Sequence, residues 1–187
     1  MKVLIITEDP TLDQHIVKPI VQAIFQDLHH PASVEVLKDP HISGAAQALD
    51  QGLVAEIVED NPMCALFVLV VDRDCNREKH EEKAAARVQE HAGRLLAVLA
   101  WQEVEVWALG LHRRDLEVSW QVLRAHCDPK EAFFDPLVRK KKWTESVGRG
   151  RKTAMREIGK GWAGLQQVCP ELGELSREIN AWLQARP

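Results

Sequence analysis

The chain of 187 residues contains no tyrosine, which excludes any mechanism that needs a tyrosyl nucleophile. It also has few cysteines, and they form no CxxC pair and no short Cys/His spacing. A structural zinc site is therefore not expected, and we predict inert or buried thiols at all four positions. These positions are Cys64, Cys75, Cys127 and Cys169.

Long apolar runs are also missing. The longest, Met63 to Val71, is too short for the roughly 20 residues that a membrane-spanning helix needs. Acidic residues begin at Glu8, which leaves no room for the apolar region and cleavage site of a signal peptide. We therefore expect a cytoplasmic protein that does not associate with a membrane.

Positive charge is scarce overall but concentrated in one segment. The net charge is −4, yet residues 139–160 hold nine Lys and Arg residues against two Glu residues. Such asymmetry indicates a local surface for anions on an acidic body. A solvated helix face is the alternative interpretation of the same pattern.

Two apolar runs end in acidic residues. Residues 1–7 lead into Glu8-Asp9, and residues 65–71 lead into Asp72 and Asp74. Both runs are typical of buried strands, and open α/β sheets bind their ligands at the carboxyl ends of the strands. Converging carboxylates repel one another unless a cation lies between them, and Mg²⁺ favours such oxygen ligands. A helix N-cap is the alternative role for Asp74 and for Asp9.

The hydrophobic pattern predicts an α/β fold. Apolar runs predict strands at 2–7, 33–37, 65–71 and 95–100. Helical periodicity predicts helices at 12–28, 44–59, 78–91, 103–111, 115–126, 129–140, 150–160 and 171–185. Pro19 either kinks the first helix or marks its start. The order implies a four-stranded, mostly parallel, Rossmann-like sheet with helices on both faces. We expect this core to span 1–112, with a helical, partly basic cap at 113–187, as one compact unit.

Two further segments provide candidate site residues. Glu103 and Glu105 follow the fourth strand; in one helix they would lie about 200° apart, so that only one faces the site, and we favour Glu105. Trp107 is expected in the core. The basic turn Gly148 to Lys152 precedes a helix and could bind phosphate, with Lys152 neutralising charge in the transition state. The histidines form no HxxxH or HExxH pattern, and no chemistry is assigned to them.

These residues resemble the Toprim superfamily, whose members share a Glu after the first strand and a DxD after the third; here these are Glu8 and Asp72/Asp74. The chain is similar to small stand-alone Toprim-like proteins related to OLD-type nucleases. That similarity extends to the acidic-x-acidic-x-Trp segment at 103–107, the Gly/Arg/Lys element at 148–152 and the Cys-Pro-Glu-Leu helix start at 169–172.

The resemblance implies a Mg²⁺- or Mn²⁺-dependent nuclease that acts on DNA or RNA, in phage defence or mobile-element biology, with a possible partner ATPase. Glu8, Asp72 and Asp74 would bind the metal, and Glu105 would complete a second metal site. Phosphate would be held by basic residues, namely Arg149, Arg151, Lys152, Lys140, Lys141 and Lys142. Toprim topoisomerases need a tyrosine, so the chain is not expected to be one of them.

Two rival hypotheses remain open. Asp9 stands where the family usually has Gly, so a catalytically inactive scaffold that binds a partner is one alternative. A receiver-like signalling domain is the other, because it also has an acidic pair after strand one and an Asp after strand three. That class needs a Ser or Thr after strand four and a Lys after a fifth strand, and neither is visible in the sequence.

Overall fold

A computed structural model describes residues 1–73, 75 and 77–186 of the chain. Its strands are β1 (Lys2–Thr7), β2 (Ser33–Val36), β3 (Leu66–Asp72) and β4 (Leu95–Ala100). They form one sheet in the order β2-β1-β3-β4, and every pairing is parallel. The predicted α/β class with a four-stranded parallel sheet is confirmed.

Helices cover both faces of this sheet. In the first half they are α1 (Gln14–Asp27), α2 (Ala45–Ala48), α3 (Gln51–Asp60) and α4 (Arg77–Glu90). In the second half they are α5 (Glu105–Leu111), α6 (Trp120–Ala125), α7 (Asp135–Lys140), α8 (Arg151–Ala154), α9 (Ile158–Val168) and α10 (Pro170–Gln184). A π-helical segment, Lys130–Phe134, precedes α7, and 3₁₀ turns lie at Arg113–Asp115 and Met155–Glu157.

The two faces of the sheet belong to separate hydrophobic clusters because side chains alternate along each strand. Val3 and Ile5 of β1 face a cluster that includes α1, α5, α9 and α10. Leu4 and Ile6 face the opposite cluster, which includes α3 and part of α4. The C-terminal helices therefore complete the core of the sheet. A side-chain hydrogen bond helps to hold α10 against the sheet: Trp182 Nε1 donates to the Gly93 carbonyl at 2.8 Å.

Local capping explains where the predicted helix boundaries were wrong. The expected helix at 44–59 is divided because Asp50 caps a new helix, its side chain accepting the Leu53 N–H at 2.8 Å. The expected helix at 115–126 begins only after Ser119, which caps α6 by accepting the Val122 N–H at 3.3 Å. Pro19 lies inside α1 and does not mark its start.

Among the described residues, no helix has the length and apolar character needed to cross a membrane. The described sheet also has no fifth strand, which the receiver-like alternative requires.

Candidate active site

An acidic cavity opens at the carboxyl ends of β1, β3 and β4. Its volume is about 560 Å³. Six acidic residues line it, together with three cationic residues and the loop after β2, so negative charge dominates. The acidic residues are Glu8, Asp9, Asp13, Asp72, Glu103 and Glu105, and the cationic residues are Lys130, Arg149 and Arg151.

Glu8 and Asp72 meet across neighbouring strands. The Asp72 backbone N–H donates to Glu8 Oε1 at 2.7 Å, and Asp72 Oδ1 accepts the Val104 N–H at 2.9 Å. Although part of the Asp72 residue reaches the surface, its carboxyl group is enclosed by protein. That burial, followed by the negative charges of Glu105 and Glu8, raises the pKa of Asp72 well above its ordinary value. Glu8 and Asp72, both predicted as site residues, therefore lie in a cluster of carboxylates whose negative charges repel one another.

Asp9 acts as a cap in the loop that joins β1 to α1. Its Oδ1 accepts the N–H groups of Thr11 at 2.9 Å and Leu12 at 3.0 Å. Asp9 thus caps the turn that precedes α1, whereas the N-cap position of α1 itself is Asp13, so the alternative role of Asp9 as a helix N-cap is wrong.

Asp13 is a cavity residue that the sequence reasoning missed. Its buried carboxylate accepts the Thr7 hydroxyl at 2.9 Å and the Asp9 N–H at 3.1 Å. Burial, then repulsion by Glu105, raises the pKa of Asp13 to about 6. The available signal was a third acidic residue within the short β1–α1 connection.

Glu103 and Glu105 both line the cavity, and the expectation that only one could face it is wrong. The physical reason is that α5 begins at Glu105, so Glu103 belongs to the preceding turn and the helical angle does not apply. Glu103 Oε2 accepts the Lys130 N–H at 2.8 Å. Burial raises the pKa of Glu103 to about 7. Trp107 is 1% exposed and lies in the core as expected, its Nε1 donating to Glu171 at 3.0 Å.

Arg151 forms a buried ion pair with Glu105. The exposed fractions of these two side chains are 3% and 4%, and Arg151 Nη2 donates to Glu105 Oε1. The turn before Arg151 has left-handed backbone at Gly148, Arg149 and Gly150. A Cβ on Gly150 would lie 2.6 Å from a methyl group of Val138, so the close approach requires glycine there. This turn directs Arg151 inward.

The other predicted phosphate-binding residues fall into two groups. Arg149 is exposed and lines the cavity, whereas Lys152 is exposed but is not among the described residues that line it. Lys140 pairs with Glu117 at 2.9 Å and Lys141 pairs with Asp115 at 2.8 Å, both away from the cavity. Lys142 is exposed and lies in the turn just after α7. The structure therefore brings two of the six predicted basic residues, Arg149 and Arg151, to the acidic site.

Two further cavity residues carried no sequence signal. Lys130 begins the π-helical segment and His41 lies in the loop after β2, and no role was predicted for either. Burial lowers the pKa of Lys130, but the neighbouring carboxylates of Glu131, Glu105 and Glu103 outweigh it, so its pKa is raised and the side chain stays cationic. Lys130 therefore adds positive charge beside Glu103.

A disulfide between Cys75 and Cys127 corrects the prediction of four free thiols. The two Cα atoms are 5.7 Å apart, and both residues are exposed. Cys64 and Cys169 are free and buried, as predicted. No local spacing indicated this pairing, because 52 residues separate the two bonded cysteines. Disulfides persist mainly in oxidising compartments, so this bond weighs against the expected cytoplasmic location, which stays a prediction.

The donor chemistry of the cavity suits a hard divalent ion, because the described residues that line it offer carboxylate oxygens and no thiol. Asp74, a predicted ligand, lies outside the described residues. Among the residues that are described, no group of three or more His, Cys, Asp or Glu side chains is arranged to hold one ion. Binding would therefore have to draw the carboxylates together.

No family model matches the chain, and no curated protein or solved structure is significantly similar to it. The Toprim resemblance thus stays a prediction from the residues themselves.

Proposed function

We propose that the protein is a Mg²⁺- or Mn²⁺-dependent phosphodiesterase that hydrolyses DNA or RNA. One observation carries this proposal: the Glu8 carboxylate accepts the backbone N–H of Asp72, which brings the two acidic residues together inside an acidic cavity that also contains cationic side chains. Carboxylates alone would repel a phosphodiester. Carboxylates with a divalent ion and flanking cations form a site that can accept one.

Each group has a distinct part in the proposed reaction. Glu8 and Asp72 would hold the ion, and Asp74 is the third predicted ligand. A bound Mg²⁺ or Mn²⁺ would supply Lewis-acid polarisation of the phosphoryl group. Arg149, at the cavity surface, would attract the phosphate and orient it through its planar donors. Lys130, whose ammonium group pairs with Glu131 at 3.0 Å, would add positive charge near Glu103.

Cleavage of supercoiled plasmid and of single-stranded RNA tests the proposal, with Mg²⁺, Mn²⁺ or EDTA in parallel reactions. Asp72→Asn is the informative variant because the amide oxygen can still accept the Val104 N–H while the charge is lost. Glu59→Gln, on the exposed end of α3, is the matched control. We expect metal-dependent cleavage by the wild type and the control, and none by Asp72→Asn.

Thermal unfolding provides a second readout that does not depend on knowing the substrate. At a metal concentration about 100-fold above Kd, binding should stabilise the wild type by about 2.7 kcal/mol. The same addition should leave Asp72→Asn unchanged. Metal-linked stabilisation without cleavage would favour the need for a partner, such as the predicted ATPase. The absence of both would favour the inactive scaffold.

A further inference from the structure

Arg151 occupies a position in the carboxylate cluster where a second cation would otherwise be needed. We propose that its guanidinium acts as that second cation, so that the site binds one divalent ion and not two. This inference rests on the proposed function and makes it more specific. It also assigns Arg151 a role different from the nucleic-acid contact that its sequence position suggests.

The charge distribution supports this role. Glu105 is the carboxylate whose charge acts on both Asp13 and Asp72. A cation bonded directly to Glu105 therefore lowers the repulsion across the whole cluster. Arg151 provides that cation in a setting where both partners are almost completely removed from water, so their attraction is strong.

The surroundings of Arg151 fix it in this position. Its Nη1 donates to the Gly148 carbonyl at 3.3 Å, and its guanidinium carbon lies 5.5 Å from the centroid of the Phe134 ring. The backbone before it is left-handed and closely packed at Gly150. Leaving Glu105 would also break these contacts of the guanidinium. A metal ion that displaced it would also leave a buried guanidinium without its counter-charge, which is strongly unfavourable.

Two-metal sites need carboxylates that serve two ions about 3.5 to 4 Å apart. Glu105 is committed to Arg151, Asp9 and Asp13 accept hydrogen bonds within the β1–α1 connection, and Glu103 accepts the Lys130 N–H. Glu8 and Asp72, at the strand ends of β1 and β3, then remain for a single ion. The buried Nε–H of Arg151 has no acceptor within the described part of the chain. The guanidinium thus retains a donor for a carboxylate or phosphate oxygen that moves toward it when the site is loaded.

The test is the number of Mn²⁺ ions bound per chain of the metal-free protein, counted from the electron paramagnetic resonance signal of the Mn²⁺ left in solution. We expect one ion for the wild type. Arg151→Met removes the charge but keeps a long side chain, and it should bind a second ion because Glu105 is then unpaired. The double variant Arg151→Met/Glu105→Gln removes both charges and should return to one ion.

The outcomes separate the two proposals. Two ions in the wild type would overturn this inference while leaving a metal-dependent enzyme intact. No ion in the wild type would overturn the proposed function itself. A folded Arg151→Met protein, judged by circular dichroism, that still binds one ion would also contradict the inference. If Arg151→Met does not fold, the wild-type count decides alone.

Discussion

The disulfide between Cys75 and Cys127 should contribute a large share of the stability of the fold. It joins the loop after β3 to the loop after α6, across 52 residues of chain. In the chain-entropy treatment, closing a loop of this length lowers the entropy of the unfolded chain and so raises its free energy by about 4 kcal/mol at room temperature. Both residues are exposed, so replacing the sulphur atoms with hydroxyls should remove little packing. The perturbation is therefore close to a pure loss of the cross-link.

Equilibrium urea unfolding of the wild type and of Cys75→Ser/Cys127→Ser measures this contribution. We expect the double variant to lose about 3 to 4 kcal/mol of unfolding free energy. For a chain of this size, that loss corresponds to a fall in Tm of about 2 to 4 °C per kcal/mol. Dithiothreitol should reduce the stability of the wild type to that of the variant, and it should leave the variant unchanged.

Thiol counting provides the control. Under denaturing, non-reducing conditions the wild type should show two reactive thiols, from Cys64 and Cys169, which are free in the fold. Four reactive thiols would show that the bond does not form. A double variant within about 0.5 kcal/mol of the wild type would refute the reasoning from loop closure, because surface substitutions without a special role fall in that range.

Two other predictions concern the acidic site and the turn beside it. Since the pKa of Asp13 is raised from 3.8 to about 6, its contribution to stability is present below pH 3.8 and is lost as the pH rises through 6. The unfolding free energy of Asp13→Asn should therefore rise by up to about 3 kcal/mol relative to that of the wild type between pH 4 and 7. Urea unfolding of both proteins measures this change, and a difference that stays constant across the range would contradict it. Gly150→Ala places a Cβ on a left-handed backbone and 2.6 Å from a methyl group of Val138, and it should cost about 1 to 3 kcal/mol of unfolding free energy. Gly159→Ala, in α9 with no atom within 4 Å of the new Cβ, should instead be neutral or stabilising by about 0.5 to 1 kcal/mol in the same thermal melts.

The sheet was predictable from the sequence because its central strands carry continuous apolar runs. β1 and β3 are buried on both faces, so almost every residue in them must be apolar, and no amphipathic helix produces that pattern. β2, at the edge, shows alternation of buried and exposed residues and was also found. Parallel pairing then followed from the helical segments between the strands.

The helix interruptions were less predictable because single side chains decide them. Asp50 lies within a segment whose apolar residues fit one continuous helix, yet its carboxylate caps a new helix at that point. The energy of one cap, about 1 kcal/mol, is comparable to the propensity differences on which such predictions rest. The positions of helix boundaries are therefore harder to predict from the sequence than the existence of strands.

The residues of the candidate site also differ in how well the sequence predicts them. Glu8 and Asp72 could be predicted because each stands at the end of an apolar run, and strand ends meet at a known edge of the sheet. The Arg151–Glu105 pair spans 46 residues, and the hydrogen bond from the Lys130 N–H to Glu103 joins the π-helical segment to the turn after β4. Such pairings depend on how the C-terminal helices pack, and no local spacing encodes them.

The basic segment at 139–160 shows how contacts between distant residues change a functional prediction. Its excess of Lys and Arg suggested a continuous surface for nucleic acid, but pairing removes much of that charge: Lys140 and Lys141 face carboxylates of the 113–117 region, and Arg151 is buried against Glu105. Charge that is neutralised within the fold cannot release counterions from a nucleic acid. Under the proposed function, a phosphodiester would therefore be attracted mainly by Arg149 at the surface of the cavity, because Lys130 in the cavity wall also pairs with a carboxylate, that of Glu131, at 3.0 Å.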